Sequence, residues 1–425
     1  MKSASRHPTA HPSGRVAVDI GSTVVKLAIV DDEDQIVNQE FRPRDFDIGI
    51  ARQVEALLSE CHVPIDREGI LVCSSANGGL RVGIVSLSKE FSGTVLRNQV
   101  LLAGANPMFV RDFEEEAGMT GYVDMLLVAG GIDCSDAGPM HHRLQRMRLE
   151  DYRYGSLVYA GNRHLAAAFL ERFPGATVIG NPIADGLTGR VLSVFETVRR
   201  AYLDDLVYKE GVSELRSNIS RGIRPTPEVV SRGFQRAVMN RSSLMTGGAA
   251  VLLDIGGATT DIHYTVEIVR DDSPCRPSPS VSVARYVFTD LGIVASRESL
   301  LLQLRSHPRL HEFLELIVHD DVREIYRLLR EGEYEPPPDL LSYGCLFLAL
   351  DRFAKGNGPG LPTADLDKVS LFVLSGGAAQ TLSEEMASRM IKLLVSRTAG
   401  DPAVTIDRRY QVWVDGITWT GLDEE

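Results

Sequence analysis

Two segments with the same pattern, 235 residues apart, constrain this chain more than any other feature of its sequence. In each one, a short apolar run leads into an Asp-Ile-Gly triplet and then into small polar residues. Glycine permits a tight turn and lets backbone N–H groups approach a ligand, and hydroxyl groups add further donors, so such turns suit phosphate oxygens. The two segments are Val18-Asp19-Ile20-Gly21-Ser22-Thr23, with Lys26 beyond it, and Leu253-Asp254-Ile255-Gly256-Gly257-Ala258-Thr259-Thr260-Asp261.

A third element also runs from a strand into a pair of glycines before a helix, and it reads Val373-Leu374-Ser375-Gly376-Gly377-Ala378. A helix N-terminus beside a glycine-rich turn favours an anion or the close approach of a ligand. Any one of the three turns, taken alone, is typical of an ordinary hairpin. Their order and spacing in one chain are much more specific, and together they favour a ligand site.

Strand-like segments alternate with helical patterns along the chain, which predicts an α/β protein. The spacing of the repeat is about one domain. We therefore expect two lobes, residues 14–243 and 244–425, after a disordered leader over residues 1–13 that lacks the apolar stretch of a signal peptide. Strands are predicted over 16–18, 24–30, 36–41, 70–73, 124–128, 157–160, 176–179, 249–254, 261–266 and 370–374. Helices are predicted over 50–61, 163–173, 193–209 and 383–396, with a helix-rich stretch over 296–330 that the prolines at 336–338 break.

The composition argues against several classes of protein. Hydrophobic residues make up 44% of the chain and charged residues 24%, and no run approaches the ~20 apolar residues of a membrane span. The net charge of −12 argues against nucleic acid or an anionic membrane as the main partner. The five cysteines are scattered without a Cys-x-x-Cys pair, which argues against disulfides and metal clusters and predicts a cytoplasmic location.

The three glycine turns resemble those of the actin-like ATPase superfamily, which includes sugar kinases, actin and heat-shock chaperone ATPases. In that superfamily the first Asp-Gly hairpin is the phosphate-1 loop, the second is the phosphate-2 loop, and the late Gly-Gly turn is the adenosine loop. The resemblance implies an α/β fold with two actin-like (ribonuclease H-like) lobes around a cleft that binds ATP or ADP with a divalent metal.

The roles of individual residues follow from this resemblance and from side-chain chemistry. Asp19 and Asp254 would face the phosphates as the catalytic pair, and since two carboxylates repel a polyphosphate, Mg²⁺ is implied, held through water. Lys26 would meet the β- and γ-phosphates, with a solvated lysine at a strand edge as the alternative. Asp261 and His263 are expected to point outward from the second hairpin. The phosphate cradle would be Gly21, Ser22, Thr23, Gly256, Gly257, Thr259 and Thr260, and the adenosine contacts would be Ser375, Gly376 and Gly377.

A narrower resemblance lies in a series of motifs between about residues 15 and 380. The series is similar to the glutamate mutase accessory protein family, which is called MutL-type but is unrelated to mismatch repair. The resemblance implies an ATP-hydrolysing accessory protein, a reactivating chaperone that helps a cobalamin-dependent mutase or aminomutase to replace inactivated cofactor. The motifs are Cys73-Ser74-Ser75-Ala76-Asn77-Gly78-Gly79-Leu80-Arg81, Leu101–Ala105, Ala129–Asp133, Tyr159–Asn162, Arg224–Pro227, the phosphate-2 segment and Asp290–Gly292.

Three alternatives stay open. A small-molecule kinase with the same cleft would need a base for the substrate hydroxyl, and Asp133 and Asp136 are the candidates. An iron–sulfur activator of hydroxyacyl-CoA dehydratases shares the Asp-Ile-Gly-Ser-Thr opening, but the wide spacing of the cysteines argues against a cluster. A scaffold that binds nucleotide without hydrolysing it would keep the same turns.

Overall fold

The fold is known from a computed structural model that describes residues 15–21, 23–31, 33–45, 47–60, 70–75, 80–115, 121–133, 138–182, 192–210, 223–242, 248–273, 282–318, 321–358, 361–395 and 401–419. The predicted leader, Ser22 and Asp136 lie outside the described residues. The strands within them form three five-stranded sheets.

The first sheet carries the first glycine turn. Its strands are β1 (Arg15–Ile20), β2 (Val24–Val30), β3 (Ile36–Pro43), β4 (Ile70–Ser74) and β10 (Ile223–Pro225). Strands β1, β2 and β3 form an antiparallel meander, and β4 and then β10 add in parallel on the other side of β1. The strand order is therefore β10-β4-β1-β2-β3.

The sheet of the second lobe carries the other two glycine turns. Its strands are β11 (Ala249–Ile255), β12 (Thr260–Thr265), β13 (Val283–Phe288), β14 (Val369–Ser375) and β15 (Ala403–Ile406). Strands β11, β12 and β13 form an antiparallel meander, and β14 and then β15 add in parallel to β11. Both sheets thus repeat one topology, which confirms the predicted fold of two actin-like (ribonuclease H-like) lobes.

A third sheet is inserted between β4 and β10. It contains β5 (Arg81–Ser86), β6 (Asn106–Asp112), β7 (Val123–Ala129), β8 (Tyr154–Tyr159) and β9 (Thr177–Val178), all parallel, in the order β6-β5-β7-β8-β9. Helices α2 (Thr94–Leu102), α3 (Gly138–Arg146) and α4 (Ala166–Arg172) connect them. The sequence correctly predicts β7, β8 and β9 as strands, but a run of strands and helices does not say which sheet each strand joins.

The remaining helices pack against the sheets or against one another. They are α1 (Ile50–Glu60), α5 (Leu192–Glu210), α6 (Thr226–Ser242), α7 (Arg297–Ser306), α8 (Leu310–Ile317), α9 (Val322–Glu331), α10 (Pro338–Lys355), α11 (Glu384–Leu394) and α12 (Gln411–Thr418). The prolines that break the helix-rich stretch also begin α10, because proline suits the first helical turn. None of the described helices combines the length and the apolar character that a membrane span needs.

Helices α6 and α12 cross at two glycines, which brings the second lobe's last helix against the first lobe. A Cβ atom on Gly233 would lie 1.8 Å from the carbonyl oxygen of Val412, and one on Gly416 would lie 1.8 Å from the carbonyl oxygen of Val229. No side chain fits at these distances, so the backbones of the two helices are in direct contact. This crossing joins the two lobes.

Candidate functional site

One cavity of about 280 Å³ is lined by residues from both lobes and from all three predicted glycine turns. The predicted site residues in its wall are Asp19, Gly21, Thr23, Lys26, Asp254, Gly256, Gly257, Thr259, Gly376 and Gly377. Two others lie just behind the wall. The Thr260 hydroxyl donates to the Leu291 carbonyl at 2.8 Å, and the Ser375 hydroxyl donates to Asp407 at 3.3 Å. These two residues support the turns rather than line the cavity.

Strand pairing places the two hairpins in equivalent positions. Asp19 near the end of β1 pairs with Lys26 on β2, and Asp254 near the end of β11 pairs with Asp261 on β12. The turns close in the same way, since the N–H of Gly21 donates to a carbonyl three residues ahead at 2.9 Å and that of Gly256 does the same. Two copies of one local structure therefore present their carboxylates to one cavity.

The Asp19 carboxylate is almost fully buried and has three partners. Lys26 Nζ lies 2.8 Å from Oδ2, while the Thr226 hydroxyl donates to Oδ1 at 2.6 Å and the Cys73 thiol donates to the same oxygen at 3.4 Å. Burial, and next the Asp19 charge, raise the pKa of the Cys73 thiol, which keeps it protonated as a donor. Sequence reasoning missed Thr226 as a site residue, although it lies within the Arg224–Pro227 motif.

Lys26 is a largely buried member of the site, with 14% of its side chain exposed, and not a solvated lysine at a strand edge. Burial by itself would lower the pKa of its ammonium group, but the Asp19 and Asp254 carboxylates outweigh burial and hold that pKa above its usual range. The side chain therefore carries a full positive charge between the carboxylates of the two lobes. A point charge in this position can attract the terminal phosphates of a nucleotide.

Asp254 has the most perturbed carboxyl group of the cavity. Removal from water raises its pKa to about 7; Lys26 and Arg285 oppose the rise, and the charges of Asp261 and Asp19 add to it. A carboxyl group that titrates near neutrality can accept a proton from, or orient, an attacking water molecule. Gly376 packs directly against this carboxylate, with φ at +90°.

Asp261 and His263 both differ from the outward positions that the sequence predicts. Asp261 lies in the cavity wall and forms a buried ion pair with Arg285, whose Nε donates to Oδ1 at 2.7 Å. The same guanidinium group donates from Nη1 to the carbonyl of Leu101 in α2 at 2.7 Å. His263 is fully buried against Ser231, and burial lowers its pKa well below the usual range. Both side chains are therefore buried, since Asp261 lies in the cavity wall beside Arg285 of β13 and His263 contacts Ser231 of α6.

Of the two candidate bases of the kinase alternative, Asp133 lies among the described residues, and it does not line the cavity. Asp133 follows β7 in the inserted sheet, where it accepts hydrogen bonds from the N–H of Arg163 and the side chain of Asn181, both at 2.9 Å. Asp133 therefore holds loops of the inserted sheet together. The described cysteines, Cys73 and Cys345, are buried and free.

The carboxylates of the cavity fit a hard cation such as Mg²⁺. The part of the chain that the structure describes has no group of three or more His, Cys, Asp or Glu side chains arranged to hold a metal. Mg²⁺ usually takes only one or two carboxylates, and phosphate oxygens and water complete its octahedron. Asp19 and Asp254, on opposite walls, are donors of this kind.

Two lobes of one topology, each presenting an Asp-Gly hairpin to a shared cavity, define a protein of the actin-like class. Within this class, residues 15–410 match the family model of the MutL protein, so the chain belongs to that family. Protein MutL of Clostridium tetanomorphum is 27% identical over an alignment of 304 residues, which covers 67% of this chain and 65% of that protein. The chain thus spans about two thirds of the length of this curated relative.

Solved structures resemble the chain more distantly. Component A of (R)-2-hydroxyglutaryl-CoA dehydratase from Acidaminococcus fermentans is 10% identical, with 97% of this chain and 99% of that chain covered and a TM-score of 0.34. The ROK family glucokinase from Streptomyces griseus, in complex with glucose and AMPPNP, is 12% identical, with 95% of this chain and 97% of that chain covered and a TM-score of 0.32.

Proposed function

We propose that this chain binds ATP and ADP with Mg²⁺ in the cavity between its lobes and hydrolyses ATP there. The observation that carries this proposal is the meeting of three glycine turns, distant in the sequence, around the carboxylates of Asp19 and Asp254 and the ammonium group of Lys26. Backbone N–H groups, a buried cation and two carboxylates on opposite walls are the groups that a Mg²⁺–polyphosphate requires.

Each group has a distinct task in this proposal. The turns at Gly21 and Gly256 hold the phosphate groups from the two lobes, while Gly376 and Gly377 bring backbone close to the adenosine. Mg²⁺, when bound, neutralises the charge of the phosphates. Asp254 orients the attacking water and accepts its proton, and Lys26 draws the terminal phosphates toward the first hairpin.

Calorimetry with ATP in the presence and absence of Mg²⁺ tests the nucleotide site. We expect Lys26→Met to weaken binding at least tenfold, because an ammonium group that faces the phosphates is lost. Lys392→Met is the matched control, since Lys392 is an exposed lysine that pairs with Asp401 on the surface. Equal affinity of the two variants for ATP would show that Lys26 does not contact the nucleotide. ATP binding that is unchanged by EDTA would show that the metal is not required.

We further propose that the nucleotide cycle serves a protein partner, a cobalamin-dependent mutase or aminomutase in the cytoplasm. Membership of the MutL family supports an accessory role. ATP binding would close the lobes and hydrolysis would reopen them, so a partner that prefers one arrangement gains or loses affinity in each cycle.

The accessory role is tested with a purified mutase of the same organism that carries inactivated cofactor. Addition of this chain, ATP, Mg²⁺ and fresh adenosylcobalamin should restore mutase activity, and Asp254→Asn in its place should not. Recovery at the same rate without the chain would refute the accessory role. Equal recovery with a non-hydrolysable ATP analogue would instead favour the scaffold that only binds nucleotide.

A further inference from the structure

Tyr410 has an unusual backbone conformation beside the candidate nucleotide site. Its φ is +52° and its ψ is 34°, which is the left-handed region. Among the residues that the structure describes, only Asp34 shares a positive φ without being glycine. A bulky side chain rarely takes this conformation, because its Cβ crowds the backbone, and such strain tends to occur where function requires it.

The turn that contains Tyr410 is fixed by hydrogen bonds from several directions. The Asp407 carboxylate accepts from the N–H groups of Gln411 and Val412, at 2.7 and 3.1 Å, and so caps the start of α12. The first lobe holds the same turn, since Arg409 donates to the carbonyl of Ile36 at 2.7 Å and the Gln411 side chain donates to that of Asp34 at 3.2 Å. The strained conformation is thus imposed by contacts with both lobes.

The ring of Tyr410 contacts the lysine of the first hairpin. Lys26 Nζ lies 4.8 Å from the ring centroid, within the range of a cation–π interaction. The ring is buried and also packs against Phe41, with ring centroids 5.1 Å apart. Asp407, in the same turn, accepts from Ser375 at the end of β14. One turn of the second lobe therefore contacts both the phosphate end and the adenosine end of the candidate site.

Three attractions act on the Lys26 ammonium group. Asp19 holds it with a hydrogen bond, and Asp254 attracts it from the opposite lobe. The two carboxylates attract the ammonium group in different directions, whereas the ring offers it one surface in a fixed position. Because Tyr410 belongs to the second lobe and Lys26 to the first, the contact also depends on how the lobes are placed.

We propose that Tyr410 is a positioning residue that fixes the Lys26 ammonium group for the nucleotide phosphates and links its position to the second lobe. This inference rests on the proposed nucleotide-binding function. The left-handed backbone directs the ring onto Lys26, since a residue in the ordinary helical or extended region would direct its side chain elsewhere. The strained backbone of Tyr410 is therefore what allows its ring to contact Lys26.

Three variants separate the ring from the backbone. Tyr410→Phe keeps the ring, Tyr410→Leu removes it while keeping bulk, and Tyr410→Asn removes it but tolerates the left-handed conformation. We expect Tyr410→Phe to bind ATP within threefold of the wild type, and the other two to bind about three- to thirtyfold more weakly, which is the range for one cation–π contact. Tyr410→Asn should unfold at a higher temperature than Tyr410→Leu while binding ATP equally weakly.

A double-variant comparison and a measurement without nucleotide complete the test. In a Lys26→Met background, Tyr410→Leu should have no further effect on ATP affinity, and an undiminished effect would overturn the proposal. In protein without nucleotide, acetic anhydride should label Lys26 several times faster in Tyr410→Leu than in the wild type or Tyr410→Phe, with Lys392 as the internal reference. Unchanged labelling refutes the positioning role. Faster labelling in Tyr410→Leu, in a protein whose wild type binds no ATP, supports the contact and refutes the nucleotide function instead.

Discussion

Replacing Gly376 by alanine would place a methyl group against the Asp254 carboxylate. The Cβ would lie 2.3 Å from Asp254 Oδ1, 2.4 Å from the carbonyl oxygen of Ile255 and 2.7 Å from its nitrogen. Two of these atoms belong to the backbone of β11, which pairs with its neighbours on both sides. The strand cannot move away locally, so the strain falls on the cavity wall itself.

The size of the effect follows from two contributions. A side chain held in the left-handed region at φ +90° costs about 1–2 kcal/mol. Forcing a methyl group into a filled space typically costs about 1–3 kcal/mol more. We therefore expect Gly376→Ala to lower the free energy of unfolding by about 2–5 kcal/mol. ATP affinity should fall at least tenfold, because the methyl group displaces the Asp254 carboxylate.

Urea unfolding followed by circular dichroism measures the first quantity, and calorimetry with ATP and Mg²⁺ measures the second. The stability control is the neighbouring variant Gly377→Ala, since a Cβ on Gly377 meets no atom within 4 Å and its φ is −63°. That variant should change the free energy of unfolding by less than about 1 kcal/mol. If Gly376→Ala unfolds at the same urea concentration as Gly377→Ala, the geometry inferred for the adenosine turn is wrong.

Three further predictions concern the Asp254 carboxylate and the helix crossing. Asp254→Asn should lower ATP hydrolysis by about a hundredfold or more and leave the fold intact, as measured by phosphate release and circular dichroism. Because the pKa of Asp254 is raised to about 7, the folded protein holds a proton between about pH 4 and 7 that the unfolded chain releases. In protein without nucleotide and metal, the free energy of unfolding should therefore fall as pH rises through that range. Asp254→Asn should remove this fall, and a pH profile identical to that of the wild type would contradict the prediction. At the crossing, Gly233→Ala and Gly416→Ala should each unfold at least about 5 °C below the wild type in calorimetry, since each Cβ would overlap a carbonyl oxygen, whereas Gly175→Ala, with open space around it, should not. Equal unfolding temperatures for all three would disprove the close contact of α6 and α12.

The sequence is most informative where a local pattern is sufficient. An apolar strand that ends in Asp-Ile-Gly specifies its own hairpin, because strand pairing and the turn involve residues only a few positions apart. For this reason the pattern alone singles out Asp19, Lys26 and Asp254. The repetition of the pattern also indicates two lobes, and the shared strand order of the two sheets confirms that prediction.

Sequence reasoning fails where burial depends on distant strands. The hairpin considered by itself predicts that Asp261 and His263 face solvent. In the folded protein β13 pairs along β12, and the Arg285 side chain from β13 neutralises Asp261. Alternation along one strand cannot show which partner a neighbouring strand will supply, or which face of the strand a distant helix will cover.

The sequence by itself determined which groups form the candidate site: the carboxylates, the lysine and the glycine turns, together with their division between two lobes. Only the tertiary structure decided which other groups surround them. Thr226 lies 207 positions from Asp19 in the chain, and Tyr410, which contacts Lys26, lies near the end of the sequence of the second lobe. Such contacts arise when sheets and helices of different lobes pack together, so no local pattern in the sequence encodes them. The local patterns supply the groups of the candidate site, and packing between the lobes sets their surroundings and positions.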